Sequence, residues 1–179
     1  LDDLNGARLA MEHLLERGHR KIAFIAGSAA SEGGRDRLAG YLQALHSAGI
    51  TVENRLIVSS DGTREGGMHA AATLAISHSA ITAILCYNDI VAIGAMLALQ
   101  REGLIPGEDV AVIGFDNIAE AGLWKPPLTT VAYGRPIGIG EMAAQVLLER
   151  IRNPSKPPAR RQLPARLIVR RSSGPLRLS

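Results

Sequence analysis

The chain has 179 residues, of which 46% are hydrophobic, 21% are charged and one is a cysteine, and its formal net charge is +3. This length can bury a core without disulfide or metal support, and it predicts one domain, or one domain with part of another. The lone Cys86 excludes an internal disulfide framework and is typical of a reducing, cytoplasmic compartment, and no apolar run reaches the ~18 residues of a membrane span.

Helical and strand-like segments alternate along the first 115 residues. Apolar residues recur at helical spacing from Leu4 to Leu15, and Gly18 follows as a stop signal. Further helices are predicted over 35–48, 64–77 and 90–102, and strands over 21–26, 56–60, 82–87 and 109–115. Short apolar strands between helices are typical of a parallel sheet covered on both faces. We therefore predict an α/β fold with an open parallel sheet and helices on both faces.

The alternation is looser after Asp116. A strand is predicted over 128–132, a helix over 137–152 and a last strand over 166–170. Between the last two, residues 153–164 contain four prolines and indicate a linker or crossover. Residues 1–149 have a net charge of −6 and residues 150–179 one of +9. This basic end either binds an acidic partner such as nucleic acid or is a solvated terminal stretch.

Polar residues follow each predicted strand, where the carboxyl ends of parallel strands form a ligand-binding edge. Each alone is typical of a helix cap or a turn; the residues are Ser28, Arg35, Arg37, Asp61, Asn88, Asp89, Asp116 and Asn117. Together their donors and acceptors suit vicinal hydroxyls or a small polar ring. The pattern predicts a binding rim without an evident reaction.

The motifs of common enzymes are absent from the sequence. There is no phosphate-binding loop, nucleophile elbow or paired metal-ligand motif, and the five histidines are scattered, so we expect most of them to be exposed. Residues 138–143 match a GxGxxA dinucleotide pattern, but they do not leave a strand directly and no acidic residue follows Glu149. We therefore predict no cofactor, no metal and no catalytic residue.

Several segments carry a resemblance that spans nearly the whole chain in order. They are GARLAMEHLLERGHRKIAFIAG (6–27), RDRLAGYLQAL (35–45), TAILCYNDIVAIGAMLAL (82–99), PGEDVAVIGFDNI (106–118), PPLTTV (126–131) and RLIVRRSS (166–173). In these segments the chain resembles the effector-binding core of lactose/galactose-type bacterial repressors. The resemblance implies a homodimeric transcription regulator, with a DNA-binding headpiece ahead of two periplasmic-binding-protein-like lobes that clasp a small effector.

The resemblance also implies how the chain is divided. Residues 1–128 and 163–179 would form the C-terminal lobe, and residues 129–162 would cross over into the N-terminal lobe. We expect this sequence, which begins at Leu1, to be a piece of a longer protein without the headpiece, so that the piece itself binds no operator DNA. The helix over 137–152 would then lack the sheet that covers its apolar stripe, formed by Ala144, Leu147, Leu148 and Ile151.

Carried over residue by residue, the resemblance implies that Arg37, Asn88 and Asp116 bind the effector, while Asp89 caps the next helix. Gly62 and Leu1 stand where some members carry aromatics, which argues against a flat stacked ligand. It places Ile93, Leu97 and Trp124 at the dimer interface, although Ile93 and Leu97 equally suit a core. The sequence thus predicts the sensing part of a regulator whose effector is sugar-like. The alternatives are a solute-binding transport receptor and an α/β enzyme.

Overall fold

The structure, a computed structural model, describes residues 1–77, 80–134, 138–155, 157 and 161–174. Its helices are α1 (Asp3–Glu16), α2 (Glu32–Ser47), α3 (Arg64–Ser77), α4 (Asp89–Arg101), α5 (Ala119–Leu123) and α6 (Ile139–Arg152). Its strands are β1 (Ile22–Ala26), β2 (Ile57–Ser59), β3 (Ala83–Cys86), β4 (Ala111–Phe115), β5 (Thr129–Tyr133) and β6 (Ala165–Ile168). The predicted α/β class is confirmed.

The six strands form one sheet in the order β2-β1-β3-β4-β5-β6. The first five are parallel, whereas β6 pairs antiparallel to β5, with Tyr133 opposite Ala165. The predicted open parallel sheet is confirmed for these five strands, and β6 adds an antiparallel edge strand that the sequence did not indicate. The chain leaves β5 and returns to β6 at the same end of the sheet, where the amide of Gly134 donates to the carbonyl of Pro164 at 3.2 Å. A strand that re-enters at that end has to run in reverse.

Two apolar cores cover the two faces of the sheet. Successive residues of β1 and β3 alternate between them, as the two-residue period of a strand requires. Helices α1 and α2 complete one core around Phe24 and Tyr41, and α3 and α4 complete the other around Leu74 and Met96. Helices on both faces are thus confirmed.

Most helices and strands begin and end within a few residues of their predicted bounds. Gly18 adopts φ +84° after α1, as the stop signal predicts. Helix α2 begins at Glu32 rather than residue 35, because the Ser31 hydroxyl accepts a hydrogen bond from the Gly34 amide at 3.0 Å. The short helix α5 was not predicted at all.

The sheet continues past residue 128, where the crossover segment was predicted to begin. β5 lies between β4 and β6, and its first two residues, Thr129 and Thr130, are fully buried. Residues 129–133 therefore belong to the sheet, because their backbone pairs on both sides.

Helix α6 differs from every other long helix in having no buried residue. Its predicted apolar stripe faces solvent, with Leu147, Leu148 and Ile151 each at least half exposed. Residue 137, where this helix was predicted to start, lies outside the described residues. Among the described helices, none combines the length and the apolar character needed to cross a bilayer.

Candidate functional site

The structure brings Arg37 and Asp116 together at the carboxyl end of the sheet. Asp116 follows β4 directly, and Arg37 reaches it from the second turn of α2, with 3.3 Å between Nη2 and Oδ1. The Arg37 side chain is buried, whereas 43% of the Asp116 side chain is exposed. The pair therefore presents one partly exposed carboxylate beside a buried guanidinium.

Three protein groups hold Arg37 in place. Its Nε donates to Asp3 Oδ1 at 2.6 Å, its Nη1 donates to the carbonyl of Tyr87, and its Nη2 donates to Asp116. The guanidinium carbon also lies 4.4 Å from the ring centroid of Phe115 and 5.1 Å from that of Tyr87. A guanidinium has five N–H groups, so two have no part in these contacts within the described chain.

The charges of the site depend on one another. Burial alone would lower the pKa of Arg37, but Tyr133, Asp116 and Asp3 outweigh burial and raise it. Burial raises the pKa of Asp116, and the Arg37 charge opposes that shift. Burial likewise raises the pKa of Tyr133, whose hydroxyl donates to Asp3 Oδ1 at 2.6 Å. At neutral pH Arg37 stays charged and Tyr133 stays a hydrogen-bond donor.

The loop that carries Asp116 has a strained backbone that is held from both sides. Asp116 and Asn117 have φ of +97° and +51°, which L residues adopt rarely. Asp89 Oδ2 accepts from the Ile118 amide at 2.9 Å, and Arg170 Nη2 donates to Asn117 Oδ1 at 2.7 Å. These two contacts keep the carboxylate of Asp116 at the rim.

Asn88 lies at the same end of the sheet but has a structural task already. Its Oδ1 accepts from the Val91 amide at 2.8 Å, so Asn88 caps α4. The prediction that Asp89 is the cap is wrong, because its side chain points inward and accepts from Thr130 Oγ1 at 2.6 Å. Burial raises the pKa of Asp89 to about 6.

Two other residues of the predicted rim, Asp61 and Arg35, make hydrogen bonds only to residues close to them in sequence among the contacts described. Asp61 Oδ1 accepts from the amide and the hydroxyl of Thr63 at 2.9 and 2.6 Å, just before α3. The exposed Arg35 donates to the carbonyls of Ala29 and Ala30. The structure therefore does not bring either side chain into contact with Arg37.

Sequence reasoning missed three residues around Arg37. Asp3 is buried at the start of α1, and Tyr133 ends β5, so both are remote in sequence from the rim. Tyr87, which follows β3 directly, could have been found by the same strand-end rule that selected Asn88. The Tyr87 ring lies 3.8 Å from the position that a Cβ on Gly62 would occupy. The rim therefore has an aromatic side chain beside residue 62, although residue 62 itself is a glycine.

A second buried polar cluster, the His13 cluster, consists of His13, Arg17, Ser173 and Thr129. His13 Nε2 lies 2.9 Å from Ser173 Oγ, which lies 2.9 Å from Thr129 Oγ1, and Arg17 Nη1 is 3.0 Å from His13 Nδ1. The prediction of exposed histidines is therefore wrong for His13 and for His19, which is also buried. Burial, Arg17 and His19 lower the pKa of His13 to about 4.

The His13 cluster does not form a nucleophile and base, although a serine and a histidine meet in it. Arginine has donors only, so Nδ1 of His13 accepts and Nε2 carries the proton that is given to Ser173. Ser173 is fully buried and has no access for a substrate. Among the described residues, His, Cys, Asp and Glu form no group of three or more that could hold a metal ion.

The three predicted interface residues separate in the structure. Ile93 is fully buried among α3, α4 and the sheet, so its assignment to an interface is wrong and its alternative as a core residue holds. Leu97 and Trp124 are half-buried, and the Trp124 ring packs against the same core. Leu123 beside it is 81% exposed.

The sequence matches the periplasmic binding protein-like domain over residues 11–173. The chain belongs to the periplasmic binding protein-like domain family. The resemblance to lactose/galactose-type regulators is confirmed by the relatives of this domain. It is 38% identical over 174 residues to the HTH-type transcriptional repressor PurR of Salmonella newport (strain SL254), an alignment that covers 96% of the chain and 51% of PurR.

Solved regulators have the same fold as this periplasmic binding protein-like domain. The transcriptional regulator CelR in complex with cellobiose matches with a TM-score of 0.90 and 34% identity over 96% of the chain and 52% of CelR. A LacI family regulator from Enterococcus faecium with bound ribose matches with a TM-score of 0.90 and 34% identity, over 98% of the chain and 65% of that protein. The chain thus spans about half the length of the curated relatives it matches.

Proposed function

We propose that this domain is the effector-sensing part of a cytoplasmic LacI-type transcriptional regulator and has no catalytic activity of its own. The observation that carries the proposal is the buried Arg37, held by Asp3 and the Tyr87 carbonyl beside the half-open carboxylate of Asp116. Such a pair offers charged donors and acceptors at a fixed spacing, which suits the hydroxyls of a sugar-like ligand. The relatives named above are regulators, which favours this function over a transport receptor.

Asn88 and Tyr87 complete the proposed ligand site. The cap uses only the Oδ1 acceptor of Asn88, so the Nδ2 donors are available to a ligand hydroxyl. The Tyr87 ring gives an apolar surface of the kind that a sugar ring packs against. CelR and the Enterococcus faecium regulator were solved with cellobiose and ribose, which supports a sugar as the ligand class.

The exposed α6 supports a second proposal, that residues beyond Gly134 belong to another lobe. The stripe of α6 has the apolar character of a buried helix face but nothing in the described chain covers it. We assign residues 138–155 to an N-terminal lobe that closes over the rim. A ligand held between two lobes favours one arrangement of them only to the extent that it binds that arrangement more tightly.

We further propose that a dimer of the regulator binds operator DNA through a headpiece outside this sequence. Trp124, Leu97 and the exposed Leu123 offer the apolar surface for the dimer, since aromatic anchors dominate such interfaces. In sedimentation experiments on the gene product, Leu123→Asp is expected to shift the dimer towards monomer. Val52→Asp, a matched change at another exposed apolar residue, is the control. Equal behaviour of the two variants would contradict this surface.

Thermal unfolding of the gene product with cellobiose, ribose and related polyols tests the ligand proposal. A ligand at 100 times its dissociation constant stabilises the folded state by about 2.7 kcal/mol. The shift is expected to disappear in Arg37→Ala and to persist in Arg35→Ala, which removes an exposed arginine of the same helix. A shift that survives Arg37→Ala would place the ligand elsewhere, and no shift with any sugar would overturn the ligand class.

A further inference from the structure

Asp3 joins the ligand rim to the place where the chain leaves and re-enters the sheet. One oxygen, Oδ1 of Asp3, accepts from Arg37 Nε and from the Tyr133 hydroxyl, each at 2.6 Å. Both donors therefore compete for, and depend on, the same carboxylate oxygen. Asp3 is 7% exposed, so neither contact is shared with bulk solvent to any large extent.

Three chain segments meet on the far side of Asp3. The amide of Asp2 donates to the carbonyl of Leu163 and the amide of Gly134 donates to that of Pro164, each at 3.2 Å. Asp2 adjoins Asp3, and Gly134 adjoins Tyr133. The two backbone bonds thus lie one residue away from the two ends of the Asp3–Tyr133 contact.

The first turn of α2 lies close to the Asp3 carboxylate. A Cβ on Gly33 would lie 3.3 Å from Asp3 Oδ2. Because Arg37 Nε and the Tyr133 hydroxyl share Oδ1 as their acceptor, a shift of the guanidinium changes the geometry that this oxygen offers to Tyr133.

We propose that Asp3 and Tyr133 are positioning residues that couple occupancy of Arg37 to the hydrogen bonding of the three segments at Asp2, Gly134 and 163–164. A ligand that replaces Asp116 as partner of Nη2 changes the pull of Arg37 on Asp3. The hydrogen bond from the Tyr133 hydroxyl to Asp3 then becomes stronger or weaker. This change alters the neighbouring hydrogen bond from the Gly134 amide to the Pro164 carbonyl. This coupling rests on the proposed function for the ligand and for its contact with Arg37.

The first experiment needs no ligand and uses the 179-residue chain. Tyr133→Phe is expected to shift the NMR resonance of the Arg37 Nε–H and to speed hydrogen exchange of the Gly134 amide about fivefold, because one hydrogen bond is lost. Tyr41→Phe is the matched control, since it removes another buried hydroxyl that donates to the Ile22 carbonyl at 2.9 Å. The effect of Tyr133→Phe on the Arg37 resonance should vanish in an Asp3→Ala background, which removes the shared acceptor oxygen. An unchanged Arg37 resonance in Tyr133→Phe would overturn the coupling.

The second experiment adds cellobiose or ribose to the gene product and follows hydrogen exchange by mass spectrometry. Saturating sugar is expected to change exchange in peptides that contain residue 134, and Tyr133→Phe is expected to abolish the change while retaining sugar binding. If sugar binds and these peptides do not respond, the coupling is wrong and the proposed function stands. If no sugar binds, the proposed function fails, and the first experiment decides the coupling on its own.

Discussion

Two buried polar clusters lie at opposite ends of β5, and they differ in their access to solvent. At its carboxyl end Asp3, Arg37 and Tyr133 meet the half-open Asp116. At its amino end the His13 cluster is closed, and Ser173 and Thr129 are fully buried. A closed cluster can only stabilise the fold, because no group of it can exchange a protein partner for a ligand. The partly exposed Asp116 makes the first cluster a candidate ligand site, whereas the His13 cluster has only a structural role.

Removal of Arg37 should produce the largest effect. Arg37→Ala leaves the buried Asp3 carboxylate without its cation, and loss of one partner of a buried pair costs about 3–5 kcal/mol. We expect a decrease of this size in the free energy of unfolding in urea. Arg35→Ala should change it by less than about 0.5 kcal/mol, because that side chain is exposed. A small loss in Arg37→Ala would mean that water reaches Asp3 and that the rim is more open than the contacts indicate.

The closed cluster should make the protein less stable in acid. The folded state lowers the pKa of His13 from 6.5 to about 4, so below pH 6.5 the unfolded chain takes up a proton that the folded chain refuses. This costs about 3 kcal/mol of stability, lost as the pH falls from 6.5 to 4. Urea unfolding between pH 4 and 7 should show this loss in the native chain and not in His13→Gln. Parallel pH profiles of the two proteins would show that His13 is protonated without cost; His46→Gln, at an exposed histidine, is the control.

The buried Asp89, which is hydrogen-bonded to the loop that carries Asp116, should change the stability with pH in the opposite direction. Burial raises the pKa of Asp89 from 3.8 to about 6, so the folded chain binds a proton between these values that the unfolded chain does not. Stability from this group is present below pH 4 and is lost, by about 3 kcal/mol, as the pH rises through 6. Asp116 adds to the shift and Arg170 opposes it.

The comparison of variants isolates this contribution. In Asp89→Asn the gain of stability on acidification should be absent, so its stability should fall more steeply from pH 6 to 4 than that of the native chain. The His13→Gln, Asp89→Asn double variant should lack both contributions. If Asp89→Asn followed the native profile, the carboxylate would be solvated rather than enclosed by Thr130 and Ile118.

The smallest effect concerns Asn88, which belongs to a helix cap and to the proposed ligand site at once. Asn88→Ala should destabilise the fold by about 1 kcal/mol, because the Val91 amide loses its acceptor. Asn88→Asp keeps an acceptor and should restore most of the stability, but it removes the Nδ2 donors. Weaker sugar binding in Asn88→Asp at near-native stability would separate the two roles. Unchanged binding would leave Asn88 a cap only.

Hydrophobic periodicity and helix stop signals predicted most of the helices and strands. Helix α3 begins and ends at the predicted residues, and the other long helices and the strands lie within a few residues of their predictions. Periodicity and stop signals such as Gly18 act over a few residues, so they are visible in one sequence. The reversed β6 was not predictable in this way, because its direction depends on where the chain returns to the sheet after residues 134–164.

The candidate site was predictable only in part for a related reason. Arg37 and Asp116 were selected by position after strands and by resemblance, and the structure pairs them. Asp3 and Tyr133 are 130 residues apart, and only the folded structure brings them together. Ile93 shows the opposite error: an apolar residue on a helix has the same pattern whether it faces the core or a partner.

The return of the chain beside its point of departure has a consequence for engineering. Tyr133 and Ala165 already stand opposite each other in antiparallel register, as in the last pair of a β-hairpin. A two-residue Asn-Gly turn between them would therefore replace everything from 134 to 164 with a connection that the sheet geometry accepts. Such a miniature would lose the contact of Asp2 with Leu163 but would shed the exposed apolar face of α6. The sheet and its ligand rim would then form a compact scaffold, onto which a different lid could be grafted.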